Sequence, residues 1–179
     1  MKKLVFATLM CVAAMSAKAQ VLTSETVNNV YEEVSNKDKS DFVFNAERTG
    51  NDITTMYVYK KDYYKDMVTL KPQKKYEYTY ASDGTLTSKT TYCYTDNQTW
   101  ECDSRYDYIL SGNKYYTEYS RFNKKSNSFD QPTEKMIYSL MPDKNISNVS
   151  CYHRDRNSDA YQMVNNVVVN SQSMLIAKK

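Results

Sequence analysis

The side chains with the most chemical potential in this sequence are three of its four cysteines, Cys93, Cys102 and Cys151 (Cys11 lies in the apolar N-terminal run), one histidine, scattered carboxylates and a long series of tyrosines. Cys93 and Cys102 flank Asp96-Asn97-Gln98-Thr99, which interrupts an otherwise strand-like stretch. If those four residues form a hairpin loop, Cys93 stands opposite Cys102. Directly opposed Cα atoms lie ~4.5–5.5 Å apart, within reach of a disulfide. A five-residue loop instead pairs Tyr94 with Trp100 and Tyr92 with Cys102, which stacks aromatics and sends Cys93 to the other face. Both registers fit the sequence, so Cys93 and Cys102 are a candidate disulfide whose alternative is two reduced, partly buried thiols.

Cys151-Tyr152-His153 sets a thiol and the only imidazole on one face of a strand, as half of a zinc site or a Cys–His nucleophile pair would require. No second Cys/His cluster follows at ligand spacing, and Cys151 shares its repeat phase with Cys93. Ordinary strand positions are therefore the expectation, with no metal and no cofactor. Glu101, Asp103, Asp107 and Glu118 are among many acids, and a hydrolase needs only two carboxyls ~5–9.5 Å apart. A sheet of alternating charge supplies such pairs by chance, and nothing marks one acid whose surroundings would raise its pKa. No catalytic residue is assigned and an enzyme is not expected.

The aromatic residues carry more. Tyrosine occurs 18 times against five Phe and one Trp. Tyr and Trp join a flat apolar face to a hydrogen-bonding edge, so a row of them suits a sugar ring or a protein surface. Tyr78, Tyr80, Tyr106, Tyr108 and Tyr138 recur in phase along strand-like runs, and alternation of that kind reports burial, so these are expected to build the core. Trp100, Phe129 and Tyr161 each follow a loop, where aromatics more often reach solvent, and these three are the candidate ligand-binding residues.

The elements that must position them are strands. Tyr76-Glu77-Tyr78-Thr79-Tyr80 alternates strictly, Ser82-Asp83-Gly84 turns the chain, and Thr85 to Tyr94 is a Thr/Tyr-rich return. Trp100 opens a third run to Leu110, and Ser111-Gly112-Asn113 turns again. Tyr80, Tyr108 and Tyr138 step by roughly 30 residues, a period that marks a repeat architecture, here strand–turn–strand–loop from residue 76 to about 169. A looser copy runs through Phe42-Val43-Phe44, a turn near Gly50-Asn51, and Met56-Tyr57-Val58-Tyr59. Val167-Val168-Val169 and Met174-Leu175-Ile176 read as a closing hairpin.

With no helix between hairpins, the fold class is all-β: an antiparallel meander of hairpin repeats with about 8–10 strands. One Tyr-rich face and one wet face favour an open, curved sheet over a sandwich or barrel. Residues 20–40 form a short helix or an arm, since Val27, Val30, Tyr31 and Val34 have helical spacing. Residues 41–179 are expected as one β-repeat domain.

Composition fixes the exclusions. Met1-Lys2-Lys3, the apolar run Leu4–Ala14 and Ala17-Lys18-Ala19 have the layout of a secretory signal peptide spanning 1–19, cleaved to leave Gln20 first. Export through it places the protein in the periplasm or outside the cell. Cleavage removes Lys2, Lys3 and Lys18 from the 24 basic residues, leaving 21 against 21 acidic ones. A near-neutral chain without a basic stripe has no nucleic-acid partner to expect. No later stretch approaches ~20 apolar residues, so no membrane span is expected.

Lys75-Tyr-Glu-Tyr-Thr-Tyr80, Gln98-Thr-Trp100, Glu118-Tyr-Ser-Arg-Phe-Asn-Lys-Lys125, Phe129 and Lys135-Met-Ile-Tyr138 resemble a family of small exported proteins of Bacteroides-type gut bacteria, a domain of unknown function. The resemblance implies a secreted β-rich domain and carries no activity or site residue. The function expected is a non-catalytic binding or surface-interaction module for a glycan or an envelope or host protein. The alternative is a structural component of the cell envelope that pairs through its sheet edges; the weaker one is the carboxylate hydrolase.

Overall fold

The structure, a computed structural model, describes residues 21–37, 40–65, 67–142, 146–155 and 158–168. The signal peptide expected at 1–19 and the far arm of the closing hairpin, Met174-Leu175-Ile176, lie outside the described residues. One helix, α1 (Ser24–Ser35), precedes ten strands: β1 (Phe42–Thr49), β2 (Asp52–Tyr64), β3 (Met67–Tyr80), β4 (Leu86–Tyr94), β5 (Trp100–Ser111), β6 (Lys114–Asn123), β7 (Ser128–Phe129), β8 (Glu134–Leu140), β9 (Ile146–Arg154) and β10 (Tyr161–Val168). The sheet runs β1-β2-β3-β4-β5-β6-β8-β9-β10, with β7 attached to β6 off that path. The fold is thus an all-β antiparallel meander, open, with β1 and β10 at its two ends. The three repeat copies are the hairpins β3–β4, β5–β6 and β8–β9.

Turn chemistry makes these hairpins. Gly50, Gly84 and Gly112 hold φ of 61°, 79° and 57°, the left-handed region that side chains with a Cβ resist. The turn at Gly84 is closed by Ala81 N donating to Thr85 O at 2.8 Å and Gly84 N to Ala81 O at 3.0 Å. Between β4 and β5 the loop is the five-residue one, with Thr95 N bonded to Thr99 O at 3.0 Å and Tyr94 paired with Trp100.

Within residues 20–40 the described part holds the helix α1, Ser24–Ser35. Thr23 caps it, its hydroxyl accepting from Thr26 N while Thr23 N donates to Thr26 Oγ1 at 3.3 Å. Val27, on the apolar stripe, is buried. Ser24 N donates to Gly84 O and Leu86 N to Leu22 O, each at 2.9 Å, tying the helix entrance to the β3–β4 turn.

The described chain groups into two compact units. The first takes Leu22–Tyr108 and Tyr119–Pro132. Its core is one face of β2–β5: Ile53 and Leu86 are fully enclosed, with Met56, Val58, Thr91, Ser104 and Tyr108 buried beside them. Tyr76, Tyr78 and Tyr80 line the same face of β3, and Tyr80 OH donates to Ile53 O at 2.7 Å. Burial pushes the phenols of Tyr78 and Tyr80 far above their ordinary range. The Tyr-x-Tyr strands therefore build the core, as alternation implies. The second unit takes Ile109–Glu118 and the described residues from Thr133 on. Tyr115, Thr117, Leu140 and Cys151 are its buried side chains, and Tyr115 packs on Tyr138 at 5.8 Å.

Candidate functional site

Strand register places a second, non-core face on β2–β5. One row across the strands reads Tyr57–Lys75–Tyr92–Cys102, and the next reads Thr55–Glu77–Thr90–Arg105. These alternate with the core positions Met56, Tyr76 and Thr91, so they point the other way. At the end of this face Tyr94 and Trp100 form the last pair of the β4–β5 hairpin.

The rings converge there. Trp100 lies 4.9 Å from Tyr94, edge to face at 66°, and 6.0 Å from Tyr57 at 55°. Tyr57 in turn stands 6.4 Å from Tyr59. Trp100 thus leans over β4 and β3 to meet a residue of β2. The polar groups beneath are ordered. Lys75 Nζ sits 4.0 Å over the Tyr92 ring and 2.7 Å from Glu77 Oε1, while Tyr92 OH donates to Glu77 Oε2 at 2.7 Å. Tyr57 OH donates to Glu47 Oε1 at 3.0 Å. Burial by itself would raise the Glu77 carboxyl, but the bonds from Lys75 and Tyr92 outweigh it and hold Glu77 below the usual carboxylate range. The Tyr57 phenol is raised by burial and then by its bond to Glu47.

The three aromatics expected to bind ligand make the following contacts. Trp100 belongs to the cluster above. Phe129, on β7, packs on Phe122 at 5.3 Å and carries the Arg105 guanidinium 4.3 Å over its ring. Tyr161, on β10 in the other unit, has the Lys135 ammonium 5.3 Å from its centroid. Tyr57, Tyr59, Lys75, Glu77, Tyr92 and Tyr94 were not assigned from the sequence. The one available signal was the five-residue register, which already paired Tyr94 with Trp100.

The same register decides the geometry of the candidate disulfide. Cys102 faces Tyr92 and Cys93 faces Glu101, in unbroken register from the Tyr94–Trp100 pair, and Asp103 is bulged out beyond them, between Cys102 and Ser104. The two cysteines therefore point to opposite faces, and both are free thiols. Burial first, then the Asp103 carboxylate, pushes each thiol above its ordinary pKa, the opposite of an activated nucleophile. Cys151 is buried opposite Met136, and His153 is exposed opposite Glu134. No group of three or more His, Cys, Asp or Glu able to hold a metal occurs among the described residues. Of the carboxylates, Glu101 pairs with Lys124, Asp107 with Arg105 at 3.0 Å and Glu118 with Lys135 at 2.6 Å. A cleft of about 340 Å³ in the second unit, lined by Leu110, Gly112, Asn113, Leu140, Met141 and Pro142, has no charged side chain in its wall.

An antiparallel meander of hairpin repeats, with tyrosines in its core and a Trp–Tyr cluster on its wet face, is the class these observations define. The chain belongs to the family of unknown function DUF3836, whose model matches residues 1–140. It is similar to a crystallised protein with unknown function from Bacteroides fragilis, at 24% identity and a TM-score of 0.65 over 74% of this chain and 94% of that one. That likeness shows the fold. Two DUF3836 family proteins are more distant: one from Bacteroides vulgatus (18% identity, TM-score 0.46, 60% and 97% of the two chains) and one from Parabacteroides distasonis (20%, 0.48, 55% and 90%). No curated protein matches the chain. The resemblance carried by the Tyr-rich strands thus names the right family. Among the described residues no helix is long and apolar enough to cross a membrane.

Proposed function

We propose that the chain is an exported, non-catalytic binding module that takes a glycan on the wet face of β2–β5, with Trp100 as the stacking residue. The observation that supports this is the Trp100–Tyr57–Tyr94 cluster set directly beside Lys75, Glu77 and the Tyr92 hydroxyl. A sugar offers apolar C–H faces to rings and hydroxyls to charged and phenolic groups, and both kinds of partner stand here together. The rings meet at steep angles, which suits one or two sugar units seated in a corner better than a long chain on a flat platform.

The test uses the chain from Gln20 onward and the emission of Trp100, its only tryptophan. Titration with soluble plant, host and microbial polysaccharides is expected to shift that emission saturably for one class, and Trp100→Ala to weaken binding at least tenfold, as loss of one good aromatic contact would. A spectrum indifferent to every glycan, with affinity for none by calorimetry, would overturn the reading. Fractionation of the source cells, with the N-terminus read from the recovered protein, tests export and cleavage before Gln20.

A second reading rests on a separate observation. All eight residues of β10 are exposed, Met163, Val164, Val167 and Val168 among them, and β10 ends the sheet order. An exposed apolar edge is a template for strand pairing, which supports an envelope-assembly role. Self-association or copurification with envelope proteins, lost on Val164→Lys, together with no glycan affinity, would favour it.

A further inference from the structure

Register sets two acids on the wet face of β3–β5, Glu77 and Asp107, and the protein already engages both. Glu77 accepts from Lys75 Nζ on Oε1 and from Tyr92 OH on Oε2, each at 2.7 Å. Asp107 accepts from Arg105 Nε at 3.0 Å, and the bulged Asp103 accepts from Ser104 Oγ at 3.0 Å. Donors are left over instead. Arg105 uses only its Nε–H, and no N–H of its Nη1 or Nη2 has a hydrogen-bond partner among the described residues.

The guanidinium is nevertheless held in place. Its carbon lies 4.3 Å from the centroid of the Phe129 ring, which packs on Phe122, and 37% of the Arg105 side chain is open to solvent. A planar fork fixed at Nε and on one face is left with its Nη side to pair a second carboxylate. A neutral sugar needs acceptors for its hydroxyls as well as donors, and both oxygens of Glu77 already accept. A sugar carboxylate needs donors alone.

Arg105 and Trp100 stand on one surface of the first compact unit. Arg105 pairs with Thr90 and Trp100 with Tyr94, positions ~13 Å apart along β4. Groups bound at the two are thus on neighbouring units of one sugar chain. Resting on the glycan reading above, we infer that the ligand is an acidic glycan, a uronate-bearing chain whose carboxylate docks on Arg105 Nη1 and Nη2 beside the ring stacked on Trp100. Asp107 and Phe129 are positioning residues that hold the fork. Because Asp107 offsets the charge of Arg105, recognition is by directed N–H groups and persists at about 0.15 M NaCl, where the Debye length is ~8 Å.

The test is calorimetry at that salt on the chain from Gln20. The probes are oligosaccharides of polygalacturonate, alginate and hyaluronan, each beside its carboxyl-reduced form, and poly-glutamate. One uronate is expected to bind at least tenfold tighter than its reduced form. Arg105→Gln should erase that preference and leave the weaker affinity for the reduced form. Arg105→Lys, which keeps the charge without the fork, should recover only part of it. Asp107→Asn keeps an acceptor for Nε and removes the competing charge, so it should tighten uronate binding severalfold. A merely structural ion pair would make the Arg105→Gln and Asp107→Asn variants lose affinity alike, and circular dichroism melts check that both fold. Reduced or neutral glycans that bind as tightly as the acids, with Trp100→Ala weakening them, would overturn the acidic ligand and leave the glycan reading standing. A preference for uronate that survives Arg105→Gln, or poly-glutamate bound as tightly as any uronate, would also overturn it. Affinity for no glycan of either kind would overturn both readings.

Discussion

Lys89 is a charge held in the core face of this fold, and replacing it gives a quantitative test of the core. It pairs with Tyr78 on one side and Tyr106 on the other, within the face that holds Met56, Thr91 and Ser104. Its ammonium lies 4.7 Å from the Tyr76 ring and 6.0 Å from the Tyr106 ring. Desolvation, and then the like charge of Lys74, lower its pKa from 10.5 to about 8. Roughly 2.5 pKa units at ~1.36 kcal/mol each correspond to ~3 kcal/mol lost on folding with the charge in place. Lys89 keeps some solvent exposure and the rings return up to ~1–2 kcal/mol of cation–π attraction, so a net ~1–2 kcal/mol is expected.

Lys89→Met keeps the stem and removes the charge, and is therefore expected to stabilise the protein by that amount at pH 7, or about 2–8 °C in Tm. The folded state binds fewer protons than the unfolded chain between pH 8 and 10.5, so the penalty is complete below about 8 and fades as pH rises through that window. Urea unfolding of both proteins at pH 7, 8, 9 and 10 should show their difference shrinking toward zero. Raised thiols and phenols erode the stability of both at high pH, and subtraction removes most of that common loss. A difference that is flat with pH, or a Lys89→Met variant less stable at pH 7, would refute the assignment of Lys89 to a desolvated, unpaired position.

Other expectations follow from single contacts. Gly84→Ala, at φ 79° and at the turn that bonds Ser24, should lose ~1–2 kcal/mol in urea melts. Ile53→Ala, which empties a fully enclosed site, should lose ~2–5 kcal/mol while keeping the circular dichroism spectrum of a β protein. Tyr92→Phe removes one of the two bonds that hold Glu77 low, so the Glu77 carboxyl should titrate at higher pH by NMR than in the parent. Peptide mapping under oxidising conditions should find Cys93 and Cys102 unlinked to each other, with alkylation slow at pH 7 and faster above 9; a Cys93–Cys102 crosslinked peptide would contradict the register.

Period-two alternation, a property of neighbouring residues, made the strands legible from Phe42 to Tyr161, and the glycines at 50, 84 and 112 made the turns so, because a positive φ is a local demand. The repeat of Tyr80, Tyr108 and Tyr138 carried the meander, and the same strands carried the family. Register was not legible. A slip of one residue exchanges the faces of a strand, and both loop lengths at 95–99 satisfied every local rule. Only the folded hairpin, with its five-residue loop, sends Cys93 and Cys102 to opposite sides and brings Trp100 to Tyr94. The meeting of Trp100 with Tyr57 spans four strands, so no window of sequence contains it. The burial of Lys89 among Tyr76, Tyr78 and Tyr106 draws on three strands, so no window of sequence contains it either.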